Sequence, residues 1–237
     1  LRMRRELQCL TSTIADTVVC PAARLDDVAR LIRLHSPIAV QFSGHSMSCQ
    51  SIIGRALLFE NKQGVISEVS APTFIHSVRD GLDGQSKMTV NSRSLSLIFL
   101  NACDTLSLAR KLVEALPSVS VVCWASDVET NCATFVSRAF YSALSKSMSQ
   151  TVLTSHCVTE AFMVAKEALE ESSQYMCGDP WHYRHEDGHE HLKKGGYDKF
   201  CTGCKPPVHG IFCLVRAQGE IWCCKNCRMK SAQGGYY

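Results

Sequence analysis

Residues 96–125 read SLIFLNACDTLSLARKLVEALPSVSVVCWA, and their pattern decides the fold. Residues 96–100 are an apolar run too short for a helix and closed by Asn101-Ala102-Cys103-Asp104. Residues 106–116, LSLARKLVEAL, then place apolar side chains at helical spacing until Pro117 stops them. A valine-rich run, residues 119–125, follows. Apolar strands joined through a helix form a βαβ unit, whose strands lie parallel and are covered on both faces.

The same alternation extends in both directions. Upstream, residues 24–34 predict an amphipathic helix on Leu25, Val28, Leu31 and Ile32, ended by His35-Ser36-Pro37. Residues 38–42 predict a buried strand that meets a loop at Ser43-Gly44-His45. Residues 56–69 predict two short strands around Asn61-Lys62-Gln63-Gly64, with glycine placed for a positive φ. A weaker helical pattern covers residues 72–82. Downstream, Ser126-Asp127-Val128-Glu129 matches a capping box, which predicts a helix from there through Ala143. A last helix is expected over residues 158–169, and after Glu171 the pattern ends. The expectation is an α/β fold with a mostly parallel sheet flanked by helices.

Composition narrows the class. The 237 residues are 46% hydrophobic and 20% charged, which excludes a disordered polymer and allows a sizeable core. No apolar run approaches the length of a membrane span, and the basic start LRMRREL leads into no apolar signal core. Charge is uneven: residues 1–180 carry 16 Lys/Arg against 17 Asp/Glu, residues 181–237 carry 9 against 5. Six of the 14 cysteines fall between Cys201 and Cys227, and the rest are scattered. That is not the regular spacing of a secreted disulfide scaffold, so the expected setting is reducing and intracellular, cytoplasmic or nuclear.

Functional groups in open α/β sheets gather at the carboxyl ends of strands. Two such ends carry reactive side chains here, His45 and Cys103. A cysteine nucleophile needs its thiolate, a base within hydrogen-bond reach, and N–H donors for the oxyanion formed on attack. A helix N-terminus near Cys103 favours the thiolate, while the neighbouring Asp104 opposes it. Taken singly, a cysteine at the end of an apolar strand is usually a small buried hydrophobe and a lone histidine usually a satisfied loop residue, so the pair and its order carry the reading.

Four segments in order resemble the CHAT domain family, which is related to caspases and separase. They are Phe42-Ser43-Gly44-His45, Leu100-Asn101-Ala102-Cys103, Ser126-Asp127 with the helix Ala139-Phe140-Tyr141-Ser142-Ala143-Leu144, and Val158-Thr159-Glu160-Ala161-Phe162-Met163-Val164-Ala165. The likeness covers residues 24–170 or so. It implies a caspase-like fold, protein substrates, Cys103 as nucleophile of an acyl-enzyme and His45 as acid/base. The oxyanion donors would be the backbone N–H groups of Cys103 and of Ser46, where the family usually has glycine. Asp104 and Thr105 also depart from the Arg-Gly or Gln-Gly that follows the cysteine in caspases. Asp127 would select a basic substrate side chain, as related peptidases do, although its place in a capping box explains it as well. Retaining the fold without activity, as a scaffold, is the alternative.

Residues 201–227, CTGCKPPVHGIFCLVRAQGEIWCCKNC, are a different kind of sequence. Cys201-x-x-Cys204 and Cys224-x-x-Cys227 are two pairs separated by nineteen residues, the spacing of a four-thiolate zinc site. The span between reads as the β-hairpin of a zinc ribbon. Cys223, Cys213 and His209 are alternative ligands. His182, His185, His189 and His191 make either a second site, with Cys177 or Cys213, or a polar connection. The division expected is a lead-in over residues 1–23, a caspase-like domain over 24–172 and a zinc-binding tail over 173–237. The tail is basic without a basic run or a stacking series, so it fits a protein partner better than nucleic acid.

Overall fold

The computed structural model describes residues 3–14, 16–48, 55–85, 94–147, 153–172, 182–184, 190–192 and 212–222. In chain order the elements begin with α1 (Met3–Thr13), α2 (Leu25–His35), β1 (Ala39–Ser43), β2 (Ser46–Ser48), β3 (Arg55–Glu60), β4 (Ile66–Val69) and α3 (Ala71–Gln85). They continue with β5 (Leu97–Asn101), α4 (Leu106–Ala115), β6 (Ser120–Trp124), α5 (Thr130–Ser147) and α6 (Ser155–Glu171). The last four are β7 (His182–Arg184), β8 (Glu190–Leu192), β9 (Phe212–Arg216) and β10 (Gly219–Trp222).

Five strands form the main sheet in the order β1-β5-β6-β9-β10. The first three run parallel, with Phe42 opposite Leu100 and Ile98 opposite Val121. Every residue of β5 and β6 is buried, as apolar runs covered on both faces require. Phe99 meets Phe140 and Tyr141 of α5 at ring-centroid distances of 5.4 and 5.9 Å. On that side α5 packs against α1 and α6, while α2, α3 and α4 form a second contiguous group. Helices therefore flank the sheet, and the mixed α/β architecture is as expected.

A smaller antiparallel sheet, β2-β3-β4, stands beside it. Its turn follows the predicted chemistry: Gly64 has φ 74°, and the Asn61 side chain accepts from the Gln63 and Val65 amides at 2.9 and 3.0 Å. Gly81 lets α3 approach α2, since a Cβ there would lie 2.8 Å from Ile32 Cβ.

Three expectations are corrected. Helix α5 starts at Thr130, not at Ser126, and the Ser126 hydroxyl donates to the Asp127 carbonyl at 3.0 Å. The lead-in is no mere lead-in, since α1 packs on α5 and buries Glu6 and Leu10. The hairpin assigned to the zinc ribbon belongs to the main sheet: β9 pairs antiparallel with β6, from Val121↔Val215 to Trp124↔Phe212, and β10 pairs with β9. Residues 212–222 thus complete the fold whose boundary the sequence put at 172.

Candidate active site

The parallel register aligns Ser43 of β1 with Asn101 of β5. His45 and Cys103 each lie two residues farther on, so they occupy equivalent positions past the carboxyl ends of neighbouring strands. Two contacts fix their loops. The Leu58 amide donates to the His45 carbonyl at 2.9 Å, and the Ser46 hydroxyl donates to the Cys103 carbonyl. The first bond makes Ser46↔Leu57 a pair that does not exchange hydrogen bonds, so the Ser46 N–H turns away from β3. Serine at this position therefore keeps a backbone donor on the outward side, and its φ is not among the positive ones.

Cys103 is half-buried and reduced. It precedes the first residue of α4 by three positions, so it stands outside the helix rather than within its first turn. Asp104 takes the positive φ of the turn, 44°, and the turn is tied to the end of β6. The Asp104 amide donates to the Ser126 carbonyl at 2.8 Å and the Thr105 amide to the Trp124 carbonyl at 2.7 Å. The sulfur lies against Val128, whose N–H is 3.4 Å and whose carbonyl is 3.9 Å away. Burial pushes the thiol above its ordinary range; the Val128 N–H works against that, Asp127 adds to it, and Arg55 opposes it. The helix-terminus argument for a lowered thiol is thus outweighed by desolvation. Among the described residues no hydrogen bond joins the exposed His45 imidazole to the sulfur. Fully buried Cys132 is pushed up to about 12 by burial, which leaves it inert near neutrality.

Asp127 sits beside this pair but is engaged by a residue the sequence reading passed over. Arg55, the first residue of β3, holds Asp104 at 2.9 Å through Nε and Asp127 at 3.3 Å through Nη1. One guanidinium therefore links the loops that follow β5 and β6. No local pattern signals this, because the partners are far apart in the chain.

Beneath the strand ends lies a second unpredicted feature. The Glu6 carboxylate, buried under α1, accepts from Gln41 Nε2 at 2.6 Å, Ser43 Oγ at 2.9 Å, Asn101 Nδ2 at 2.7 Å and Ser137 Oγ at 3.3 Å. Trp124 Nε1 donates to Asn101 Oδ1 at 2.8 Å and ties β6 to the same cluster. Burial first, and then the Glu6 charge, raise the nearby Tyr141 phenol. The available signal was the polar alternation Gln41, Ser43 inside an otherwise apolar strand.

Two surface cavities, of about 320 Å³ between α2 and α3 and about 410 Å³ between α4 and the β9–β10 hairpin, include neither Cys103 nor His45. No group of three metal-ligating side chains occurs among the described residues. Cys201, Cys204, Cys224 and Cys227 lie outside the described residues, as do Cys177, His185, His189, His209 and Cys223. His182 and His191 fall on β7 and β8, which pair with each other. Among the described residues no helix is long and apolar enough to cross a membrane. Comparison with models of known protein families and with curated proteins finds no match to this chain.

Proposed function

We propose that this chain is a cysteine peptidase of caspase-like build, resembling CHAT domains, that cuts protein substrates through Cys103 and His45. The observation that carries the reading is the β1–β5 register, which sets the two residues level at adjacent strand ends. In the reaction His45 takes the proton of the Cys103 thiol, the thiolate attacks the substrate carbonyl carbon, and the oxyanion accepts from the Cys103 and Ser46 N–H groups. Collapse breaks the C–N bond as His45 delivers a proton to the leaving amine. Water, deprotonated by His45, then hydrolyses the thioester and restores the thiol. Asp127, with Asp104 beside it, supplies negative charge for a basic substrate side chain.

A second reading has its own support. The sulfur held by Val128 and the absence of a hydrogen bond to His45 among the described residues both suit a silent scaffold that contacts protein partners, or less readily nucleic acid, through its tail. One labelling experiment separates the two. A peptidyl electrophile is expected to modify Cys103 ahead of the half-buried Cys20 and Cys157, and His45→Ala is expected to remove that preference. Equal labelling of the three cysteines favours the scaffold.

The tail is read as a structural zinc site with Cys201, Cys204, Cys224 and Cys227 as ligands. Four thiolates suit a closed tetrahedral ion, which would staple the tail and take no part in the reaction. The hairpin register supports the pairing of the two motifs, because Trp222 lies opposite Cys213 and its exit is thus beside the entry to β9. Cys224 is two residues beyond Trp222 and Cys204 eight before Phe212, a separation long enough for the two pairs to meet. Metal analysis of the purified protein is expected to give at least one zinc per chain, falling when Cys201 and Cys204 are changed to Ser. A metal-free, folded protein would overturn this assignment.

A further inference from the structure

The core holds a pair of thiols that the proposed reaction does not use. Cys123 of β6 and Cys213 of β9 lie directly opposite each other in the antiparallel register, and both are fully buried and reduced. Side chains alternate between the faces of a strand, and those of opposed residues share one face. Phe212 and its partner Trp124 meet on the α6 side, so Cys123 and Cys213 turn together toward α4. There the two thiols are in hydrogen-bonding contact, within electrostatic reach of Arg110 on α4. Spacing makes Cys213 an alternative zinc ligand; the sheet commits its side chain to Cys123 instead.

The register also sets the gap that a bridge between them must span. The Ser120 amide donates to the Ser96 carbonyl and the Trp124 carbonyl accepts from the Thr105 amide, so these two residues point their backbone groups toward β5. Cys123, one position from Trp124, therefore points its own toward β9 and exchanges hydrogen bonds with Cys213. Such a pair holds its Cα atoms roughly 5.5 Å apart, inside the range of a disulfide. Its Cβ atoms are farther apart than in a pair without hydrogen bonds, so the bridge closes with some strain and reopens readily in reductant. Access comes from the cleft of about 410 Å³ between α4 and the hairpin. Arg110, Val215 and Glu220 line it, and Val215 is the next residue on the Cys213 face of β9. The thiols thus lie one side-chain layer below an open cleft, beside the Arg110–Glu220 ion pair.

We propose that Cys123 and Cys213 are a modification site for hydrogen peroxide, which converts them to a disulfide that locks the C-terminal hairpin to the rest of the sheet. The inference is independent of the peptidase reading. One thiolate attacks a peroxide oxygen, breaking the O–O bond and giving a sulfenic acid and a hydroxide that takes up a proton. The second thiol then attacks the sulfenic sulfur, the S–S bond forms, the S–O bond breaks and water leaves. The two sulfurs lose two electrons, peroxide gains two, and two waters result. Burial first, then the partner thiol and Glu220, hold the Cys213 thiol well above its ordinary range, and Arg110 works against them. The reaction is therefore slow and answers sustained oxidant rather than a brief pulse.

The test treats the folded whole chain with millimolar hydrogen peroxide for hours, alkylates the remaining thiols in denaturant and reads the cysteine peptides by mass spectrometry. The expected product joins the Cys123 and Cys213 peptides, disappears with dithiothreitol and is absent from Cys213→Ala. Cys132, equally buried on α5 and outside the cleft, is expected to stay a free thiol. Closing a loop of about 90 residues is expected to raise the urea midpoint of the oxidised protein above that of the reduced one, a rise that Cys213→Ala lacks. If the alanine variant does not fold, the wild-type peptide map decides alone. Recovery of Cys123 and Cys213 as separate thiols or separate sulfinic acids, or bridged to other cysteines, would overturn the proposal. So would oxidation of Cys132 at the same rate, which means entry of peroxide through unfolding, and so would a bridged protein with an unshifted midpoint.

Discussion

Phe212→Ala is expected to destabilise the protein by about 3–5 kcal/mol, the range for removing a large aromatic side chain from a rigid core. Phe212 is fully buried and joins three elements. Its ring stacks on Phe162 of α6 with centroids 4.5 Å apart and planes 20° from parallel. It also meets Trp124 of β6 at 5.3 Å and Phe99 of β5 at 6.2 Å. Those neighbours sit on strands and a helix pinned by their own hydrogen bonds, so collapse into the vacated space is limited. Urea unfolding followed by circular dichroism checks this: the midpoint should fall while the slope stays constant. A loss below about 1 kcal/mol would mean that the C-terminal hairpin lies outside the cooperative unit.

The second large effect is expected at Glu6. Glu6→Ala removes the acceptor shared by Gln41, Ser43, Asn101 and Ser137 and leaves buried donors facing a void. Hydrogen bonds to a charged group are worth more than neutral ones, and stranded buried donors are costly, so a loss of about 2–4 kcal/mol is expected after water enters from the α1 side. Glu6→Gln keeps the shape and a carbonyl oxygen for the four donors, which all bond one carboxylate oxygen, but loses the charge, and is expected to cost about 1 kcal/mol. Thermal unfolding of the two variants side by side measures the difference. If alanine and glutamine prove equal and mild, the cluster contributes shape only. Because Ser43 and Asn101 end the strands that carry His45 and Cys103, this carboxylate braces the site from below.

Legibility in the sequence followed the range of the forces involved. Strands β5 and β6 were plain because a buried parallel strand must be apolar throughout, and the β3–β4 turn because Asn61 and Gly64 carry their own turn chemistry. Cys103 and His45 could be proposed from their positions at strand ends alone. Helix α1 escaped notice because its buried face includes a charged residue, and no periodicity rule places a carboxylate inside. The start of α5 was misread because Ser126-x-x-Glu129 satisfies a capping pattern, while the local backbone is directed by the Asp104 amide, which donates to the Ser126 carbonyl, and by Val128 against the Cys103 sulfur. The C-terminal hairpin was misassigned for a subtler reason. Phe212, Cys213, Leu214 and Val215 are buried in succession, which is the mark of a strand inside a sheet rather than of a ribbon with one wet face. The cysteine pairs on either side drew the reading toward a separate module. Arg55 offered nothing local, since its meaning comes from carboxylates brought to it by the fold.

The pairing of Val121 with Val215 also has a consequence for biosynthesis. A nascent chain that has emerged through α6 presents β6 as a raw sheet edge with its hydrogen-bonding groups unanswered, and such an edge recruits strands from other chains. The partners of β9 in β6 lie about 90 residues earlier in the chain, so this pairing is a late closing step, and the yield in a cell is expected to depend on how well that edge is shielded while translation finishes.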